Sequence, residues 1–523
     1  MSTTPAKPPD PQHHRPDQQH HRQRRAGDQP PETEPPRKVD PFTFVLHGAA
    51  GDLARRKILP ALAHLAESGY FPQQCRIVLA QRRPVTAAEA LAEQAAFLRE
   101  IGDDAAVGAL AALTPLVSTV AIALGSDVAA TRALLAAAVD GGPRPVVHYA
   151  ALPASRFADL MALIDGPRDP AQLRVVLEKP LGFSGDESRR IEDVVAEHLD
   201  EAQVYRIDHY LGKQAVQNLL ALRLGNLVFE PLFNREHVAH VEITVAEHLG
   251  VEDRAGFYEQ SGAIRDMVQS HMLQLLATLA MEPPVGLDAD ALRDEKLKIL
   301  RSLAVPRIGG RDSDIVIGQY VGGHFDGRVV PGYRQEPGVA RDSLTESFVA
   351  FRTEVRTWRW AGVPFLLRTG KRMPQRFAEI VVQFRDVPLP LYKAVGGQWA
   401  GNRLVVRLQP EDQLQLHLLA KAPGQRERLQ PVKLNLDFFE AWRIPVRDAY
   451  ERLLTDILRG RLSLFLRRDE VEAQWSFTDQ LRTQIHDGGL EPLAYAAGTF
   501  GPPEATALAV RAGAVWSEAL AGI

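Results

Sequence analysis

Cysteine is almost absent from this chain: Cys75 is the single one in 523 residues. A disulfide framework and a cysteine-based zinc site are therefore excluded, and no metal site is expected. No run approaches the roughly 18 consecutive apolar residues that a membrane-spanning helix requires, so no membrane partner is expected. An excess of either charge is missing too, with 61 Lys and Arg against 65 Asp and Glu, a net of −4. Without a basic surplus, no nucleic-acid partner is expected. Residues 1–40 lack Leu, Ile, Phe, Trp and Tyr, and hold 9 prolines together with His13, His14, His20 and His21. Such a stretch buries too little apolar surface to offset the entropy of ordering it, so a disordered Pro/His-rich tail is expected. It also lacks the apolar segment of a secretory signal, and a cytoplasmic location is expected.

The chain as a whole is 45% hydrophobic and 24% charged, and its length allows two to four domains at about 150 residues each. From residue 41 strands alternate with helices. Residues 42–47, 76–80, 146–150 and 173–178 read as strands, and Ile58, Leu59, Leu62 and Leu65 recur at helical spacing. Pro60 inside that run predicts a kink or a late helix start. This alternation implies βαβ units and a parallel sheet. Beyond about residue 238 the texture changes. Segments 238–245, 315–321, 347–355, 379–384, 404–408, 414–419 and 432–436 all read as strands, the signature of a mainly antiparallel sheet. The expected fold is a Rossmann-like α/β dinucleotide-binding domain over 41–208, then a larger α+β domain over 209–523.

Gly48-Ala49-Ala50-Gly51-Asp52-Leu53 lies where the first strand meets the first helix. Its glycines suit a tight turn that brings backbone N–H groups and a helix N-terminus to a pyrophosphate; an ordinary strand–turn–helix corner has the same spacing. At the end of the second strand Gln81-Arg82-Arg83 stands where an NAD site carries an acidic residue. A guanidinium there pairs with a 2′-phosphate, which favours NADP, with NAD as the weaker alternative; solvated surface charge is the competing reading.

Polar residues concentrate at two further strand ends. Glu178-Lys179-Pro180 places a lysine at the carboxyl edge of the parallel sheet. Between Arg206 and Lys213, eight residues include five ionisable ones, Tyr210 among them. His209, Tyr210 and Lys213 supply imidazole, phenol and ammonium donors suited to a phosphate monoester. Asp208 would repel a phosphate and fits better as the orienting partner of a histidine base; a salt-bridged loop is the alternative. Residues 262–281 read as a helix with an apolar stripe of Ile264, Val268, His271, Leu275 and Leu279. His271 is then either a satisfied core histidine or, with Asp266 one turn away and Asp208 opposite, half of a His–Asp dyad.

These segments together resemble the glucose-6-phosphate dehydrogenase family. The resemblance runs from Phe42 to about Glu504 through GAAGDLARRKILPAL, VVLEKPLG, YRIDHYLGKQAVQNLLALR, GAIRDMVQSHMLQLL, GVPFLLRTGKRMP and YERLLTDILRG. It implies that His271 is the base for the C1 hydroxyl of glucose 6-phosphate and that Asp208 orients it. It implies phosphate ligands His209, Tyr210 and Lys213 with Lys371 and Arg376, and sugar ligands Glu247, Asp266 and Lys179. Gly48, Ala49, Ala50, Gly51, Asp52, Leu53, Arg82, Tyr149, Lys179 and Arg368 match the NADP site. The family forms homodimers and homotetramers. Ala50 stands where the family usually carries a hydroxyl that helps hold the 2′-phosphate, so Arg82 and Arg83 are left to select NADP.

Overall fold

A computed structural model describes residues 38–520 except 165, 311, 326, 390, 395–400, 422, 425–427 and 438–447. The tail expected over 1–40 lies, but for its last three residues, outside the described residues. Six of the seven strands of the first sheet come from this half of the chain: β1 (Thr43–His47), β2 (Arg76–Gln81), β3 (Val117–Ala121), β4 (Val146–Ala150), β5 (Leu173–Leu177) and β6 (Val204–Ile207). They lie in the order β6-β5-β4-β1-β2-β3, every pair parallel. Strands β1, β4 and β5 are buried at every position, because helices cover both faces, and this is why they read as unbroken apolar runs. The chain leaves β1 in one direction and returns to β4 to leave in the other. Their carboxyl ends therefore flank a crevice at the reversal point, where open parallel sheets bind ligands.

Pro60 sits in the first turn of the α-helix Leu59–Glu67, preceded by one wide π turn over Ala54–Ile58. The backbone is already helical ahead of it, and the wider turn, in which the Leu59 N–H reaches back five residues to Ala54 O, is where the bond missing at Pro60 is accommodated. Late in the chain, the helix Ala449–Leu458 packs into the core of the first sheet, and Phe465–Leu466 pairs antiparallel with β6. Residues 449–466 thus complete the first sheet although they follow the second in sequence.

The second sheet has ten strands, with β7 (Val238–Ala246) near its middle. Its pairs are antiparallel except β7 with Pro364–Gly370, Ile315–Val321 with Leu493–Ala496, and Lys393–Ala394 with Arg428–Asp437. All the strand segments expected there are present, with their ends displaced by a few residues. The strand Pro364–Gly370 was not expected; it carries Lys371 at its end. One apolar cluster joins β5 and β6 to this sheet through Val268, Leu275 and Leu279, so the helical segment bearing His271 is wedged between the two sheets. Among the described residues no helix is long and apolar enough to cross a membrane.

Candidate active site

The His271 segment begins at a chain reversal. Gly262 adopts φ 57°, which ends the helix Ala255–Ala263, and a side chain at this position would collide with the Glu346 carboxylate. That carboxylate accepts the Ile264 N–H at 3.0 Å, satisfying a helix-start donor. Residues Ile264–Met272 then wind as π turns and Leu273–Ala280 as α-helix. The expected stripe is buried along its length, with His271 only 5% exposed.

Asp208, just beyond β6, meets it. His271 Nδ1 lies 2.7 Å from Asp208 Oδ1, the Tyr210 N–H donates to the same oxygen at 3.0 Å, and Ser270 Oγ donates to Oδ2 at 2.5 Å. Burial alone would raise the Asp208 pKa, but the neighbouring His271 and His209 and the Ser270 hydrogen bond outweigh it and hold the carboxyl well below its usual range. An ionised carboxylate only accepts, so His271 Nδ1 is the donor and Nε2 keeps the free lone pair. The imidazole is thereby fixed in the tautomer that a general base needs.

A cationic and phenolic cluster abuts this pair. The His209 ring meets His271 edge-on at 4.7 Å, and Tyr210 lies 4.6 Å from it. Lys213 Nζ is 5.6 Å from the Tyr210 ring, and the exposed Arg376 acts on the charges of both Tyr210 and Lys213. Lys213 precedes the helix Gln214–Gly225, whose first N–H groups are taken by the Asp412 carboxylate. An anion bound here is therefore held by the side chains rather than by the helix end. Burial, then repulsion from His271, pushes the His209 pKa far down, so it donates as a neutral ring.

Lys179 donates to the Asp266 carbonyl and lies 3.9 Å from the Asp266 carboxylate. Burial lowers the Lys179 pKa against the opposing pull of Asp266, Asp208 and Glu247. Lys371 Nζ binds Glu247 Oε2 at 2.8 Å. Carboxylates suited to sugar hydroxyls thus stand paired with lysines beside the imidazole.

At the crevice between β1 and β4, Gly48 has φ 77°, and a Cβ on it would come within 2.4 Å of the Ala151 carbonyl oxygen. The backbone there is packed as closely as a dinucleotide turn requires, with Gly51 N donating to Gly48 O at 2.8 Å and the helix starting directly after it. Ala49 is buried beneath the turn, Leu53 is half-buried, and Ala50 and Asp52 are exposed; Asp52 pairs with Arg56 at 2.6 Å. Arg83 is bound to both oxygens of Glu93 at 2.7 Å, whereas the exposed Arg82 pairs with no described residue. These residues fit a nicotinamide dinucleotide.

Two expected cofactor contacts lie elsewhere. Tyr149 is fully buried, its hydroxyl spent on Glu178 at 2.5 Å, so it supports the crevice from within instead of lining it. Arg368 alternates with Leu367 along its strand and faces away from the His271 helix. It is 1% exposed, bound by both oxygens of Glu518 at 2.6 and 2.7 Å and stacked on Trp516 at 4.1 Å. The strand period puts its side chain on the far face of the sheet. Sequence reasoning assigns no role to Ser270, Asp412 or Tyr450; Ser270 and Tyr450 fall in segments that carry the resemblance, whereas Asp412 follows no local pattern.

The family profile described as "Glucose-6-phosphate dehydrogenase, NAD binding domain" matches residues 45–218, and "Glucose-6-phosphate dehydrogenase, C-terminal domain" matches 220–517. The glucose-6-phosphate 1-dehydrogenase of Rhizobium meliloti is 41% identical over 494 residues, covering 92% of this chain and 99% of that one. That of Mycolicibacterium smegmatis is 42% identical over 488 residues, covering 92% and 98%. A solved structure of glucose-6-phosphate dehydrogenase in complex with its substrate glucose-6-phosphate superposes with a TM-score of 0.80 at 31% identity, covering 92% of this chain and 99% of that one. With profiles spanning nearly all of its length and relatives this similar, the chain belongs to the glucose-6-phosphate dehydrogenase family of oxidoreductases.

Proposed function

We propose that this chain oxidises D-glucose 6-phosphate at C1 to 6-phospho-D-glucono-1,5-lactone while reducing NADP+ to NADPH, the first step of the oxidative pentose phosphate pathway. The observation that carries the reading is the Asp208–His271 pair at 2.7 Å, with His209, Tyr210 and Lys213 gathered against it. His209, Tyr210 and Lys213, with Lys371 and Arg376, hold the phosphate, and Glu247 holds ring hydroxyls. His271 Nε2 takes the C1 hydroxyl proton, and Asp208 stabilises the imidazolium that results. Lys179 and Asp266 fix the C1 end. Binding energy from the non-reacting phosphate positions C1, which lowers the entropic part of the barrier.

The nicotinamide, when bound, accepts the hydride from C1. Residues 41–208, with the turn at Gly48–Leu53, hold the dinucleotide, and Arg82 reads its 2′-phosphate. Residues 209–523 hold the sugar and the contacts of a homodimer or homotetramer, and the protein works in the cytoplasm. A steady-state assay at saturating glucose 6-phosphate, with NADP+ against NAD+, tests this. NADPH should form, with a higher kcat/KM for NADP+. No NADPH would overturn the reaction, and equal kcat/KM values would overturn the coenzyme choice.

A further inference from the structure

Glu178 directly follows strand β5 and precedes Lys179, and it has no part in the reaction proposed for the site. It is buried, and three donors converge on its carboxylate. Tyr149, at the adjacent end of β4, donates at 2.5 Å; the Lys179 backbone N–H and the Tyr450 hydroxyl supply the others. Tyr450 comes from the helix Ala449–Leu458, and its ring lies parallel to that of His209, 6.1 Å away at 12°. His209 in turn meets His271. A single carboxylate thus ties the backbone of Lys179 to the ring stack that ends on the base.

Three converging donors match an ionised carboxylate, which has acceptor sites only; a protonated carboxyl would turn its own O–H toward one of them. The charged and titratable groups around it are Tyr149 from β4, Lys179 on its own segment, Asp208 from the turn after β6, and Tyr450, which itself feels Asp448. Burial, reinforced by Asp208 and opposed by the three donors, raises its pKa to about 7. The ionised form is therefore present above neutral pH and lost below it.

We propose that Glu178 is a positioning residue: ionised, it holds the Lys179 backbone and, through Tyr450, the His209 ring, and its protonation releases both and slows turnover. This rests on the reaction assigned above. Both Glu178 and His271 must then be deprotonated for turnover, so the acid limb of log kcat against pH should steepen toward a slope of about 2. Glu178→Gln should lower kcat at pH 8 about tenfold and leave a limb with a slope of about 1, set by His271 alone. Tyr149→Phe removes one donor, so the carboxylate is less stabilised and the acid limb should move to higher pH. This second variant keeps the test standing if Glu178→Gln does not fold. An active parent whose acid limb is unchanged in slope by Glu178→Gln, or unmoved by Tyr149→Phe, overturns the role of Glu178 alone. A parent that forms no NADPH from glucose 6-phosphate overturns the reaction and this role together.

Discussion

Asp208 and His271 stand 63 residues apart in sequence and 2.7 Å apart in space, and the site's chemistry depends on what holds them there. Ser270 and the Tyr210 N–H bind the carboxylate through both of its oxygens, so Asp208 is held facing the ring. Replacing His271 by Asn keeps a donor for Asp208 and spares the fold the cost of a buried unpaired carboxylate. The base is lost, and the phosphate-gripping side chains are untouched. His271→Asn should therefore lower kcat by about 100- to 10,000-fold while KM for glucose 6-phosphate stays near its parent value. Steady-state kinetics on the folded variant measure this; near-parent kcat would remove His271 from its role. The polar run from Asp208 to Lys213 was legible in sequence because its members come from one turn, whereas Arg206 belongs to β6 and is bound by Glu192 and Glu201. The pairing with His271 was readable as an alternative only, since a stripe position fits a core histidine equally well. Arg368 was misplaced because a motif match carries no information about which face of a strand a side chain takes.

At the scale of elements, the turn at Gly48 is dictated by backbone geometry. Its φ of 77° lies in the left-handed region, and the Ala151 carbonyl leaves no room for a methyl group. Gly48→Ala should push the ends of β1 and β4 apart, costing about 1–3 kcal/mol of stability and weakening dinucleotide binding. Thermal melting and a fluorescence titration with NADP+ read the two effects. Unchanged affinity would show that the crevice does not seat the cofactor. The glycine pattern and the flanking strand made this turn visible in sequence. The strand Pro364–Gly370 escapes a sequence reading because its apolar run is only Phe365–Leu367, cut short by Pro364 on one side and by the buried polar Arg368 and Thr369 on the other. The two-residue strand Phe465–Leu466 pairs with a segment about 260 residues earlier, and no local pattern announces so distant a partner. A strand that alternates, such as β7, is legible nearly in full.

For the whole molecule, the reversal between β1 and β4 is also where the fold is vulnerable to acid. His47 and His148 sit on those two strands, with Nε2 and Nδ1 3.0 Å apart and the rings stacked at 5.3 Å. Both are buried, and His47 Nδ1 has no hydrogen-bond partner. Burial, then repulsion by His148, pushes the His47 pKa well down; burial, then Arg144, lowers that of His148 to about 4. In the unfolded chain both rings take up protons near pH 6.5. Below that pH the unfolded state binds protons the folded state refuses, so stability is full above about 6.5 and drains away as pH falls toward about 4. Each ring accounts for at most about 1.4 kcal/mol per pH unit in that window. His47→Leu with His148→Phe replaces the pair by apolar volume and removes this proton uptake. The fall in Tm between pH 7 and pH 5 should be smaller in the double variant than in the parent, measured by calorimetry in matched buffers. An equal fall would place the acid sensitivity in the carboxylate networks instead. The sheet would then tolerate a charge at its centre, which a buried imidazole pair without a counter-ion gives no physical reason to expect.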